Sequence, residues 1–276
     1  METHVSWITQ FVNRYLGHFA LSLLTALHIH PANPETPIPE RVVMMVAVFV
    51  IVGLFTLWLR PRLSVDNPGG AQQIAELLIT NPIGFGIRDL LIENAHDKKG
   101  KYVAMVGSVA VFILFANILS VFPAFSAPTA EISVPLGCAI VIFLYFNWQG
   151  IKHHSVGYYL LTFAGSPKTA GDWALGVLLF PVELISTAAR ILSLTVRLWA
   201  NIFASDLLYV IFLGLLVAPA VWGWNKTPAL GVVLGVFPAL IPLAFIGLHL
   251  FVAIIQTYVF TLLPSIYIGI ATADEH

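Results

Sequence analysis

One arginine lies deep inside an apolar run. Arg197 stands in Ser193-Leu-Thr-Val-Arg197-Leu-Trp-Ala-Asn201, within the stretch Trp173–Trp222. A charge at bilayer depth costs roughly 2.5–3.5 kcal/mol on insertion scales, so such a residue faces a protein partner or a water-filled cavity and marks an ion path. Glu183, Arg190 and Arg197 are spaced by seven and seven. At about 100° per residue they fall within about 40° of one another, on one helical stripe. Ser186 and Ser193 repeat the spacing near that stripe, and Asn201 sits one turn beyond Arg197. Asp206 follows Arg197 by nine residues, which places it about 180° away on the same helix. In a later apolar run, His249 and Gln256 are seven apart and share a face. Imidazole is the side chain that titrates near neutral pH, and desolvation or a neighbouring charge can move a carboxylate toward that range, so Asp206 and His249 could pass protons near a fixed cation.

Plainer readings exist for most of these residues. Arg190 suits a basic residue near an interface, its head snorkelling to headgroups, and Glu183 suits the same zone. His249 could be a neutral, satisfied core histidine. Gln256 and Asn117, the amide in the span 102–122, could be interhelical hydrogen-bonding groups. Arg197 has strongly apolar sequence on both sides, and snorkelling does not account for it. His153 and His154 read as solvated loop residues, since adjacent histidines alone are a weak metal signal. No metal and no cofactor are expected.

The elements that carry these residues follow from composition. The 276 residues are 58% hydrophobic and only 10% charged, against about 25% charged in a soluble domain. An all-α, polytopic membrane protein is the class that fits. The net charge of −1 argues against nucleic acid or a polybasic lipid clamp. Cys138, the single cysteine, reads as a small buried hydrophobe. The sequence has no G-x-x-x-x-G-K-[ST] loop, H-E-x-x-H motif or G-x-S-x-G elbow, so no nucleotide or catalytic site of its own is expected. The segment Trp7–His30 is interrupted by Arg14, His18 and His28, and is not read as a signal peptide.

Residues 1–30 read as an N-terminal, part-amphipathic helix, and the proline-rich residues 31–40 as a linker. Val42–Leu59 is the first clear span. Residues 71–92, with Glu76, Arg88 and Asp89, suit a helix lying at the interface. Tyr102–Phe122 is the second span, and Val134–Trp148 begins a third that looks short. The runs Trp173–Trp222 and Pro228–Ile270 would be about 75 Å and 65 Å long as helices, against a hydrocarbon core of about 30 Å. Each is either two spans or one long, tilted helix, and Pro238, Pro242 and Pro264 permit kinks. About five to six membrane helices are expected, with a variable segment 1–40 and a membrane domain 41–276.

Six basic residues (Arg60, Arg62, Arg88, Lys98, Lys99, Lys101) lie at 60–101, whereas 123–133 carries none. The positive-inside rule puts 60–101 and 149–172 in the cytoplasm and the N-terminus outside, and the C-terminus is expected on the cytoplasmic side. No internal repeat is visible, which weakens a stand-alone, ion-coupled secondary transporter with an Arg–Asp–His site. A scaffold whose charges only join helices is a further rival.

The pattern S-L-x-x-R-L-x-x-N at 193–201, followed by Ala204-Ser-Asp-Leu-Leu208, resembles the penultimate membrane helix of subunit a of the rotary F-type ATP synthase. Gly247-Leu-His-Leu and Gln256-Thr-Tyr-Val-Phe260 are similar to that family's last helix, and Ala273-Asp-Glu-His276 to its acidic tail. Asn117-Ile-Leu-Ser-Val-Phe-Pro123 and Pro128-Thr-Ala-Glu131 resemble its second span and following loop. The resemblance covers roughly residues 40–276. It implies a proton-channel stator with two half-channels beside a rotating c-subunit ring, whose two long tilted helices pack against that ring. Arg197 would be the essential charge, with Glu183, Asn201, Asp206, His249 and Gln256 lining or organising the channels. Asn117, Arg190 and Ser193 would be secondary members. Asp206 and His249 would belong to the inlet side and Glu183 to the cytoplasmic outlet. Implied partners are the c-ring, peripheral-stalk b subunits and the rest of the ATP synthase, in a bacterial plasma (inner) membrane. The chain departs from the pattern at Asp206, where Glu, Gly or His is commoner, at Ile191, where proline is frequent, and at Glu131 and Ser133, which replace Asp and Asn.

Overall fold

The computed structural model describes residues 6–28, 31, 33, 35–81, 85–122, 125–165, 167, 169–236 and 240–273. These form ten α-helices: α1 Trp7–Ala26, α2 Glu40–Leu59, α3 Gly70–Ile79, α4 Ile87–Ala95, α5 Val103–Leu119, α6 Ser133–His154, α7 Val156–Thr162, α8 Ala170–Trp224, α9 Pro228–Val236 and α10 Leu240–Thr272. Short 3-10 turns follow α2 (Arg60–Arg62) and precede α6 (Pro128–Ala130). No strand occurs among the described residues.

Among the described residues, four helical segments are long and apolar enough to cross a membrane: Glu40–Arg62, Ser133–His154, Gly171–Trp224 and Leu243–Thr272. α5 is a shorter apolar helix of 17 residues, about 26 Å at 1.5 Å per residue and so at the lower limit for spanning. The chain is therefore polytopic and all-helical. Much of its apolar surface faces outward, including Leu192, Phe203 and Leu207 of α8 and Phe251 and Ile254 of α10. Water would oppose such exposure, whereas lipid or a membrane partner tolerates it. Trp148, Trp173, Trp222 and Trp224 are also exposed, as interfacial aromatics are.

The structure resolves one ambiguity and alters several expectations. The run 173–222 is one continuous helix, α8, of 55 residues, about 80 Å long. The run 228–270 comprises α9 and α10, with Pro238 in a segment outside the described residues, as are residues 274–276 of the acidic tail. α10 alone, with 33 residues, is about 50 Å long, and Pro264 lies inside it. The single interfacial helix expected at 71–92 is instead two helices, because Thr80 turns extended at φ −137°. Pro82, two positions on, disfavours helical geometry in the residue before it. The third span is not short. α6 continues through Lys152, His153 and His154, whose basic groups suit the carbonyl end of a helix. The two histidines are thus helical rather than loop residues. Cys138 is half-buried rather than buried.

Residues group into two units. The first comprises Met1–Val52, Ile113–Glu131 and Trp199–Ile255. Its buried apolar side chains include Met44, Val48, Ile113, Ala116, Ile202 and Ala253. Ser6 caps α1, its Oγ accepting the Thr9 N–H at 3.3 Å. The Asn13 amide then pins the proline-rich linker to α1. Its Nδ2 donates to the Ile38 carbonyl at 3.0 Å and its Oδ1 accepts the Ile38 N–H at 2.9 Å. One side-chain amide thereby satisfies both backbone groups of a residue that has no helical partner. The loop before α6 is held by an Arg41–Glu131 ion pair and by Ser126 Oγ donating to Glu40 at 2.8 Å.

The second unit comprises Gly53–Phe112, Ile132–Leu198 and Gln256–His276. Leu91, Val106, Ala139, Leu194, Leu198 and Phe260 are buried in it. α4 ends where His96 enters the left-handed region at φ 52°. The buried Asp97 carboxylate then starts α5, accepting the Lys101 N–H at 2.8 Å and the Tyr102 N–H at 2.7 Å. At Gly269, α10 passes so close to the Asn94 carbonyl that a side chain would collide with it. Gly150 of α6 leaves room in the same way for the Tyr159 ring.

Candidate functional site

In the first unit, α5, α8 and α10 converge on a histidine. His249 is 8% exposed. Its Nε2 lies 3.0 Å from the Asn117 carbonyl oxygen and 3.0 Å from Ser120 Oγ. Its Nδ1 lies 2.8 Å from Ser205 Oγ and 3.7 Å from Asp206 Oδ1. Asn117 is fully buried, and Thr129, from the turn before α6, donates its hydroxyl to Asn117 Oδ1 at 2.5 Å. Asp206 is less enclosed, with 41% of its side chain exposed. A buried imidazole is thus held on one nitrogen by a backbone carbonyl and faces a carboxylate from the other, with which it can exchange a proton.

In the second unit, Glu183 and Arg190 meet along α8, Arg190 Nη2 donating to Glu183 Oε1 at 3.0 Å. The Arg190 guanidinium also lies 5.2 Å from the centre of the Tyr267 ring, within cation–π range. Both residues line a cavity of about 410 Å³ together with His154, Tyr159 and Tyr267. Tyr159 donates to Asn147 Oδ1 at 3.0 Å. Burial pushes the Tyr159 phenol above its ordinary pKa, and the Arg190 charge opposes that rise. The cavity has cationic, anionic and aromatic walls, so it can hold water beside a carboxylate.

The remaining expected residues stand differently. Arg197 is exposed on α8, between the exposed Val196 and the fully buried Leu198, and pairs with no other described residue. Ser193 and Asn201 are also exposed. Gln256 is 2% exposed, and its Oε1 has no hydrogen-bond partner among the described residues, nor has Asn117 Nδ2. A buried polar atom left unpaired costs about 1–3 kcal/mol, so each of these calls for a partner.

Five neighbours were not singled out from the sequence: Ser120, Thr129, Ser205, Tyr159 and Tyr267. Ser120 follows Asn117 by one helical turn and Ser205 precedes Asp206, and these spacings were the available signal. Hydroxyls are common in apolar helices, however, and usually bond to their own preceding turn.

The geometry can be set beside known proteins. The sequence profile of the family described as ATP synthase A chain matches residues 42–269. ATP synthase subunit a from Koribacter versatilis (strain Ellin345) is 36% identical over 273 residues, covering 99% of each chain. ATP synthase subunit a from Solibacter usitatus (strain Ellin6076) is 39% identical over 236 residues, covering 84% of this chain and 86% of that one. The subunit from a Nitratiruptor species is 32% identical over 202 residues, covering 73% and 76%. A match of this extent, running through α2 to α10 and taking in both polar clusters and Arg197, shows that the chain belongs to the ATP synthase subunit a family.

Proposed function

We propose that Arg197 is the fixed charge past which protons are exchanged with a partner ring. The chain is a multi-pass, proton-translocating stator subunit of an F-type ATP synthase, works within that complex and is not its catalytic subunit. The family assignment gives no support to the stand-alone transporter. The observation that carries the residue-level reading is an exposed guanidinium without a partner among the described residues, on the polar stripe of an otherwise apolar helix. Lipid alone would impose a cost of roughly 2.5–3.5 kcal/mol on that placement. A ring of c subunits, each bringing a carboxyl group alongside, relieves the cost. The same cation favours the ionised form of each arriving carboxyl and so drives its proton off. Arginine suits the task because it stays charged when desolvated.

Asp206, His249 and Asn117 serve the inlet half-channel, and Glu183 with Arg190 serves the outlet. Asn201, Ser193 and Gln256 flank the arginine in this reading. The driving force is about 2.3 kcal/mol per charge per 100 mV, plus any pH gradient. Peripheral-stalk b subunits are further partners, α3 and α4 offering the docking elements. The membrane is a bacterial plasma membrane, with segments 60–101 and 149–172 and the C-terminus on the cytoplasmic face and the N-terminus outside. ATP-driven proton pumping in inverted vesicles carrying Arg197→Ala tests the reading, with assembly checked by co-purification. Pumping is expected to vanish in an assembled complex, and normal pumping would overturn the role of Arg197.

A further inference from the structure

The hydrogen bonds around His249 determine which of its nitrogens can exchange a proton. The Asn117 carbonyl oxygen can only accept. With Nε2 at 3.0 Å from it, an unprotonated Nε2 would set two lone pairs against each other, so Nε2 carries a hydrogen. Ser120 does not alter this. Its single proton is donated to the same carbonyl at 2.8 Å, which leaves its oxygen as a second acceptor for Nε2–H at 3.0 Å. On the other edge of the ring, Nδ1 faces Ser205 Oγ at 2.8 Å. Ser205 Oγ has a second acceptor within reach, the Ile202 carbonyl at 3.0 Å.

We infer that His249 takes up and returns its proton through Nδ1 alone, and that the Ser205 hydroxyl is a two-position rotor that accommodates both charge states. With the ring neutral, Ser205 O–H donates to Nδ1. When a proton arrives, Asp206 closes the 3.7 Å gap to hydrogen-bonding distance or hands the proton over through one water, its O–H bond breaks and an Nδ1–H bond forms. The Ser205 proton turns to the Ile202 carbonyl, and its oxygen accepts Nδ1–H. One proton moves, the Nε2–H bond persists, and an imidazolium faces the Asp206 carboxylate, 3.7 Å away in this structure. Asp206, on α8, is the one charged group within ion-pair reach of the ring among the described residues. α5 and the turn after it present only the uncharged Asn117 and Ser120 to it. His249 is therefore a side reservoir for Asp206 rather than a wire that passes protons from one nitrogen to the other. Ser205 is a positioning residue that keeps either state hydrogen-bonded.

This inference rests on the proton-path reading of Asp206 and His249, and its test separates the two. The assembled complex is labelled with 15N-histidine, and His249 is assigned by difference from a His249→Gln complex. In the neutral ring, Nε2 is expected as the protonated, pyrrole-type nitrogen and Nδ1 as the pyridine-type nitrogen. Only Nδ1 should change type on acidification. Ser205→Ala should move the Nδ1 resonance toward that of an unbonded pyridine-type nitrogen and slow proton pumping severalfold. Ser205→Thr, which keeps the hydroxyl, should restore both. A neutral ring protonated at Nδ1, or a Ser205→Ala spectrum identical to the parent, overturns the inference. If that happens while Asp206→Asn still blocks pumping, the proton path stands without the rotor. Normal pumping in an assembled complex lacking both the Arg197 and Asp206 charges would remove the path itself, whatever the tautomer.

Discussion

Arg190 Nη2 lies 3.0 Å from Glu183 Oε1, two turns along the same helix. The pair is partly solvated, with 23% of the Arg190 and 41% of the Glu183 side chain exposed. Its net stabilisation is therefore small, about 0–1 kcal/mol, with a comparable increment from the Tyr267 ring. Arg190→Gln is accordingly expected to leave assembly intact. What it should alter is the orientation of the Glu183 carboxylate at the cavity wall. Vesicle acidification should slow in Arg190→Gln and slow further in Glu183→Gln, at equal subunit content on gels. If Glu183→Gln pumps normally while assembled, the cavity is not the outlet.

Asp206 and His249 make a second prediction. Asp206→Asn keeps the size of the side chain and removes its titration. Positioned proton-transfer groups contribute about 10²–10⁴-fold to a rate, so pumping should fall on the order of tenfold or more. Asp206→Glu should retain most of it, because 41% of the Asp206 side chain is exposed and the site has room for one more methylene. Initial rates of ATP-driven acidification in matched vesicles measure both. Unchanged pumping in assembled Asp206→Asn would take Asp206 off the path.

Gly269 tests the packing that frames the cavity. A Cβ there would strike the Asn94 backbone oxygen, which cannot rotate away as a side chain can. Gly269→Ala should therefore cost about 1–3 kcal/mol by overpacking. It would be seen as a lower thermal midpoint in detergent and a reduced yield of assembled complex. Gly137→Ala is the control, since no atom lies within 4 Å of the added Cβ. There the ordinary gain of about 0.5–1 kcal/mol for replacing a helical glycine should appear instead.

The contrast between the two clusters explains how far the sequence could be read. Glu183 and Arg190 share one helix, and a seven-residue spacing fixes their proximity without tertiary information. Asp206 and His249 lie on different helices, so periodicity placed each on a face but could not bring them together. Their partnership came from the family resemblance alone. Ser120, Ser205 and Thr129 stayed hidden because each looks like any hydroxyl that bonds to its own turn. Only the approach of α10 to α5 and α8 gives Ser120 and Ser205 a shared partner in His249, and only the fold of the loop before α6 brings Thr129 to Asn117. Helix ends were misjudged where charge was taken to mean loop: Lys152, His153 and His154 prolong α6 because its C-terminal carbonyls favour cations. The break after Ile79 was missed because residues 71–92 have suitable amphipathic composition on both sides of Asn81-Pro82.

Thr129 offers the sharpest test of whether the loop before α6 belongs to the site. Its hydroxyl donates to Asn117 Oδ1 at 2.5 Å, and both residues are fully buried. The backbone carbonyl of the same Asn117 accepts from His249 Nε2, so whatever fixes Asn117 also fixes the imidazole. Thr129→Val preserves shape and removes the donor, leaving Oδ1 buried without it. That should cost about 1–3 kcal/mol. It should also slow proton pumping by loosening the grip on His249. Thr129→Ser retains the donor and loses only a methyl group, so it should pump near the parental rate at slightly lower stability. Thermal midpoints and acidification rates on the same preparations separate the two effects. If Thr129→Val loses stability but pumps as fast as Thr129→Ser, the loop only anchors α5. If both properties fall together in Val and recover in Ser, the chain of hydrogen bonds from Thr129 through Asn117 to His249 holds the imidazole in register with Asp206.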